Sequence, residues 1–149
     1  MNEYVGIGLT VLLTCIFIVL LWRFLFGFYP GSSFVVEEPP ITANGLDDKQ
    51  AKFIFFYTSW CPFAKKAWIP WRSLKQQTKN ESARYGGREV IFEEVNIEKD
   101  KGKATLYNIQ ELPTFKIETS EKIYMLKGDF TSPSLKLFLE KALGEKSTR

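Results

Sequence analysis

The chain has 149 residues, 45% of them hydrophobic and 25% charged, with 20 Lys and Arg against 17 Asp and Glu, no histidine, and only Cys15 and Cys61 as cysteines. Ser-His-Asp and Cys-His catalysis are thereby excluded, and two thiols cannot supply the four ligands of a structural zinc site. With Cys15 inside a long apolar run, an intrachain disulfide is excluded too, so neither a disulfide-stapled domain nor a metal or cofactor is expected.

Tyr4 to Trp22 carries no charge, and beyond Arg23 an aromatic run continues to Tyr29. As a helix, Val5 to Trp22 would measure roughly 27 Å, close to the hydrocarbon thickness of a bilayer. Residues 1–29 are therefore expected to form a transmembrane anchor, with residues 4–29 against lipid. The rival is a cleavable signal peptide ending at Gly31-Ser-Ser33. Against it, Met1-Asn-Glu-Tyr4 has no Lys or Arg, and the small residues lie well past the apolar run, behind Arg23. By the positive-inside rule Arg23 places the following domain in the cytoplasm. Gly6, Thr10 and Thr14 recur every four residues, which is either a face for helix pairing or ordinary membrane-helix composition.

Residues 30–48, PGSSFVVEEPPITANGLDD, have no helical period and are expected to be a flexible linker. Residues 49–149 are expected to form one α/β domain, in which 19 Lys and Arg stand against 12 Asp and Glu. Lys52 to Thr58 is a continuous apolar run suited to a strand buried on both faces. A helix should start at Ser59-Trp-Cys-Pro62 and run to about Asn80, kinked at Pro70. Tyr85-Gly-Gly-Arg88 breaks the chain before a strand from Glu89 to Ile97, and a helix from Asp100 to Tyr107 follows. A hairpin is predicted from Phe115 to Thr119 and Ile123 to Lys127, then a closing amphipathic helix from Ser132. Its apolar face is Leu135, Leu137, Phe138, Leu139, Ala142 and Leu143.

On the helix after Cys61, Lys65, Arg72, Lys75 and Lys79 fall within about 80° of one another at 100° per residue. Phe63, Ala67, Trp71 and Leu74 gather opposite and should enter the core, leaving Trp68 among the cations and Ile69 at their edge. An exposed Trp beside cations suits an acidic protein partner or anionic headgroups, and a solvated face with one stray aromatic is the plain alternative. Nucleic acid is not expected as a partner, since no aromatic strand platform accompanies a small excess of charge.

Strand, Trp60-Cys61-Pro62 at a helix start, strand, helix, Leu112-Pro113-Thr114, hairpin and closing helix together resemble the thioredoxin fold. The resemblance rests on Tyr57-Thr-Ser-Trp-Cys61, on Tyr107-Asn-Ile-Gln-Glu-Leu-Pro-Thr-Phe115 around the family's cis-proline position, on Gly128, and on Trp71 ten residues after Cys61. It implies a central mixed sheet flanked by helices, and a contact surface built from Trp60, Cys61, Pro62 and Pro113. Three departures stand out. Cys61-Pro-Phe-Ala64 has alanine where the family's C-x-x-C motif has its second cysteine. Phe55 replaces the buried carboxylate six residues before the first cysteine, and Pro70 lies one residue later than the usual helix proline. Dithiol exchange needs one thiolate to attack and a second thiol to release the mixed disulfide, so Ala64 stops the cycle halfway.

Two functions remain open. One is a membrane-anchored, dithiol-deficient binding or structural module that meets a protein partner at the Cys61/Pro113 surface or along Lys65, Trp68, Arg72, Lys75 and Lys79. Similar tethered proteins occur in secretory membranes and in large DNA viruses, so a capsid or inner-membrane layer of a virion is one setting the resemblance implies. The other is a monothiol redox protein that captures partners through Cys61, a thiol at a helix N-terminus with Lys65 and Lys66 one turn on.

Overall fold

Phe53, Ile54, Phe55 and Phe56 are all fully buried because their strand, β2 (Gln50–Tyr57), lies in the middle of the sheet and is covered on both faces. The structure is a computed structural model and describes residues 2–26, 35–42 and 44–148. In chain order the elements are α1 (Asn2–Phe26), β1 (Val35–Glu38), β2, α2 (Pro62–Asn80), β3 (Arg84–Tyr85) and β4 (Arg88–Asn96). They continue with α3 (Lys101–Leu106), β5 (Thr114–Glu118), β6 (Ile123–Leu126), α4 (Ser132–Leu143) and β7 (Lys146–Ser147). The sheet order is β1-β6-β5-β2-β4-β3-β7, with β2 and β4 parallel across the α2 crossover and every other pair antiparallel. This is the expected α/β fold of thioredoxin type, a mixed sheet flanked by helices.

Each side of the sheet follows from strand alternation. Phe53, Phe55, Phe115 and Ile117 face α2 and α4 and form one core with Trp71, Leu74, Leu135, Phe138 and Leu139. Ile54, Phe56, Val95, Tyr107 and Ile123 form a smaller core on the other face. That face also buries charge. Lys116 is 1% exposed and donates to Glu38 and, at 2.8 Å, to the carbonyl of Tyr107. Glu118 is 0% exposed and accepts a 2.6 Å hydrogen bond from the Tyr107 hydroxyl, with Lys52 3.7 Å away. Burial first, and the bond to Glu118 second, push the Tyr107 hydroxyl far above its ordinary range.

The expectation of a flexible linker over 30–48 is corrected within its described part. Val35–Glu38 is an edge strand in register with β6, Val35 opposite Leu126 and Glu38 opposite Ile123, and Glu38 supplies the carboxylate for Lys116. Asn44 also bonds to the sheet, its side-chain amide donating to the carbonyl of Thr119 at 2.9 Å. Two-residue strands β3 and β7 carry no period of their own and could not be read from pattern. The ends of α2, β4, α3 and the hairpin strands fall within a few residues of expectation, and α2 runs on through Pro70.

Phe63 is a further correction: at the start of α2 it is 65% exposed, and the small Ala64 and Ala67 take the buried positions in the first two turns instead. Trp71 does enter the core, and its indole N–H donates to Glu94 Oε1 at 2.8 Å; the Lys75 ammonium reaches the same oxygen at 2.8 Å. In α1, Tyr4–Leu25 is 22 residues, long and apolar enough to cross a bilayer, and none of it is buried in the rest of the chain. Thr10 and Thr14 hydroxyls donate back to the carbonyls of Ile7 and Val11, each at 2.8 Å, so both are satisfied within the helix.

Two stability predictions follow from this packing. Gly86 has φ +54, and a Cβ there would sit 1.8 Å from the carbonyl oxygen of Leu143; Gly87 has φ +76 with nothing within 4 Å. Gly87→Ala should cost about 1 kcal/mol for left-handed backbone alone, and Gly86→Ala at least about twice that, because the β3–β7 edge must also move; equal losses in urea unfolding would contradict the close approach. The second concerns Glu94. Burial raises its pKa, but the bonds from Lys75 and Trp71 outweigh this and hold the carboxylate below the ordinary value of 4.5. A depressed carboxylate contributes stability above its unfolded pKa and loses it as pH falls through the folded one. Glu94→Gln should therefore be less stable than the parent at neutral pH, with the gap closing below about pH 4.5; a gap independent of pH would show that charge at Glu94 contributes nothing.

Candidate functional site

The strand β2 ends at Tyr57, and the chain then turns sharply into α2. Thr58 is buried, Ser59 and Trp60 are exposed, and Cys61 caps the helix with φ −68 and ψ 118. Pro62 occupies the first turn, where its missing N–H costs nothing. The turn is pinned to β4, since Asn96 donates to Ser59 Oγ at 3.0 Å and the Ser59 N–H points to Glu98 at 3.4 Å.

Cys61 is 6% exposed and belongs to the main core with Ala64, Phe55 and Phe115. Ala64 is fully buried one turn along, so the position that the resemblance gives to a second thiol is an apolar contact. Phe55 lies flat on Phe115, with ring centroids 4.7 Å apart and 2° between planes, which fills the position of the expected carboxylate with an aromatic stack. Among the described residues, no second thiol and no carboxylate belong to this core cluster. A buried sulfur reacts only as far as a partner can reach it, so Cys61 is less open to attack than a cysteine at an exposed helix start.

Within the thioredoxin-type domain, Trp60 stands out of the surface, at 68% exposed. Trp68, expected to be exposed among the cations, does meet one, the Arg72 guanidinium 4.9 Å over its ring, but is half-buried, edge-on to Phe55 at 5.1 Å and to Tyr57 at 5.0 Å. The basic row is divided accordingly. Lys75 turns inward to Glu94, a partner on β4 that helix spacing alone could not reveal, while Lys65, Arg72 and Lys79 remain exposed.

On the far side of Pro113, whose peptide bond with Leu112 is cis, a cavity of about 450 Å³ opens between the loop before β5 and the sheet edge. Pro113, Gly128 and Phe130 form one wall, Asn108 to Glu111 another, and Lys116 with Glu38 the polar floor. Sequence reading missed this floor. Its one signal was the alternation Phe115-Lys116-Ile117-Glu118, in which charges occupy every second position of a strand buried throughout.

The site end of the sheet, where Trp60, Cys61, Pro113 and Gly128 converge, can be set beside known proteins. No curated protein matches the sequence. In shape the chain is similar to human ERp44, with TM-score 0.56 and 19% identity over 67% of this chain and 30% of that one. It is also similar to the J-Trx1 fragment of ERdj5, with TM-score 0.54 and 16% identity over 66% of this chain and 44% of that one. Thioredoxin from Fasciola hepatica gives TM-score 0.51 and 16% identity over 63% of this chain and 82% of that one. The chain thus spans less than a third of ERp44, and identities this low speak for the fold alone. A family model described as Thioredoxin matches residues 43–141, from the chain just before β2 to the last turns of α4, and the chain belongs to that family.

Proposed function

We propose that this protein is a single-pass membrane protein whose thioredoxin-family domain binds a protein partner without running a dithiol cycle. The observation that carries this reading is the pair Cys61 and Ala64, both buried, with alanine where a resolving thiol would stand. A mixed disulfide formed at Cys61 has no neighbouring thiol to release it, and the second free cysteine, Cys15, lies in α1. What the fold still offers is shape. The cavity beside Pro113 has rigid walls on β5 and β6, and its apolar side at Phe130 and Leu126 adjoins a polar floor at Lys116 and Glu38. An extended segment of a partner fits such a groove, with apolar side chains against Phe130 and polar groups toward Asn108 and Gln110. Anchoring rests on α1, which has the length and composition of a bilayer span.

A monothiol role is the second reading, favoured by the place of Cys61 at the start of a 19-residue helix with no acidic residue in its first turn. The two readings separate in native membranes after acid quenching and alkylation. The binding reading expects no reductant-sensitive adduct, so that the parent and Cys61→Ser run alike on non-reducing electrophoresis. A Cys61-dependent mixed disulfide would establish the monothiol reading in its place. Ala64→Cys should create disulfide reductase activity that the parent lacks, though slowly, because Cys61 is buried and reacts only on local opening and because Phe55 leaves no carboxylate to accept the proton of the second thiol; an equally active parent would contradict the proposal.

A further inference from the structure

The topology brings the end of α1 and the candidate site to the same end of the sheet. Val35 pairs with Leu126, at the end of β6 that leads into Gly128. Phe56 pairs with Thr114, so the end of β2 that delivers Trp60 lies beside the start of β5 that follows Pro113. From Phe26, where α1 ends, to Val35 is nine residue steps, which can reach at most about 30 Å. Arg23 in the last turn of α1 closes the gap further, its guanidinium 2.8 Å from Asp129, the residue after Gly128. A surface ion pair of this kind contributes little by itself. The placement is imposed by chain connection, and the ion pair agrees with it.

The surface presented at that end is unusual for one facing water. Trp60 is 68% exposed and Phe63 65% exposed, three residues apart around the start of α2, and the exposed ammonium groups of Lys65 and Lys66 follow directly. The first turn of α2 has no acidic residue to oppose them. Trp is the side chain that settles at the membrane interface, its ring among the headgroups, and lysines beside it are drawn to anionic lipid. Charge sign, aromatic exposure and the short connection to α1 all point to one occupant.

We propose that the tip of the domain formed by Trp60, Phe63, Lys65 and Lys66 docks on the anionic surface of the bilayer that α1 crosses. The two rings enter the interfacial layer and the two ammonium groups meet lipid phosphates or carboxylates. This rests on the reading of α1 as a membrane span and goes beyond it, since a spanning helix could equally carry a domain held clear of the surface. Docking leaves the cavity at Pro113 close to the membrane plane, so its partner would approach from within the same bilayer.

The full-length protein, reconstituted in phosphatidylcholine vesicles with and without phosphatidylserine, tests both layers of the claim. Carbonate extraction reads the anchor. Quenching by bromine-labelled lipid, taken as the difference between the parent and Trp60→Phe, reads the depth of Trp60. The expected result is carbonate-resistant protein with Trp60 quenched in vesicles containing phosphatidylserine. Lys65→Glu with Lys66→Glu, both exposed and outside the core, should then lower the docked-to-free ratio by more than about tenfold while extraction is unchanged. Carbonate-resistant protein whose Trp60 is unquenched in either lipid overturns docking and leaves the anchor standing. Quenching equal with and without phosphatidylserine overturns the role given to anionic lipid. Extractable protein overturns the span and the docking that depends on it.

Discussion

The stack of Phe55 on Phe115 is the contact from which the rest of the site follows. It joins the two central antiparallel strands on the α2/α4 face, and the rings of Phe53, Trp71, Phe130 and Trp68 pack around it at centroid distances of 4.9 to 6.1 Å along the chain of contacts. Truncating one such fully buried ring to alanine costs about 3–5 kcal/mol, a large fraction of the stability of a domain this size. Because this layer is apolar and filled, the start of α2 can rest on it only with apolar groups facing in. Cys61, Ala64, Ala67 and Trp71 meet that demand. A carboxylate at position 55 would need water or a proton partner in a space that rings now occupy. Loss of the resolving thiol and loss of the carboxylate are thus two sides of one packing solution.

The opposite face of the sheet is built on other terms. Here α3 has only six residues, and among the described residues no helix lies between β1 and β2. Charges do part of the work that apolar cover does elsewhere: Lys116 with Glu38, and Glu118 with Tyr107 and Lys52. Removing one member of such a set strands its partner, which is worse than replacing both. Glu118 Oε1 has no hydrogen-bond partner among the described residues, so within them this network is only partly satisfied. The edge strand β1 therefore does more than extend the sheet. Its Glu38 neutralises the ammonium on which the floor of the Pro113 cavity is based.

Much of this was legible in the residues. A run such as Phe53-Ile-Phe-Phe56 has to be a central strand, and Trp-Cys-Pro after it has to open a helix, so the order of elements and the family resemblance came from pattern alone. Legibility failed where a neighbour in space decides. Val35–Glu38 is too short to carry a period and acquires its structure from β6. Helical spacing put Lys75 on a basic face, yet Glu94 on β4 turns it inward, and the same spacing placed Phe63 inside although it is exposed at the start of α2. The absent thiol at Ala64 could be read directly, whereas the burial of Cys61 depends on a layer assembled from three strands and two helices.

The most direct measurement is the alkylation rate of Cys61 by a small soluble reagent, in a Cys15→Ser background, in the folded protein and after unfolding. With the sulfur enclosed between Ala64 and the aromatic layer, reaction requires local opening, and the folded rate should be slower by roughly a hundredfold or more. Folded and unfolded protein reacting at similar rates would mean that the thiol stands free at the surface, and the account of a site closed to dithiol chemistry by its own core would be wrong.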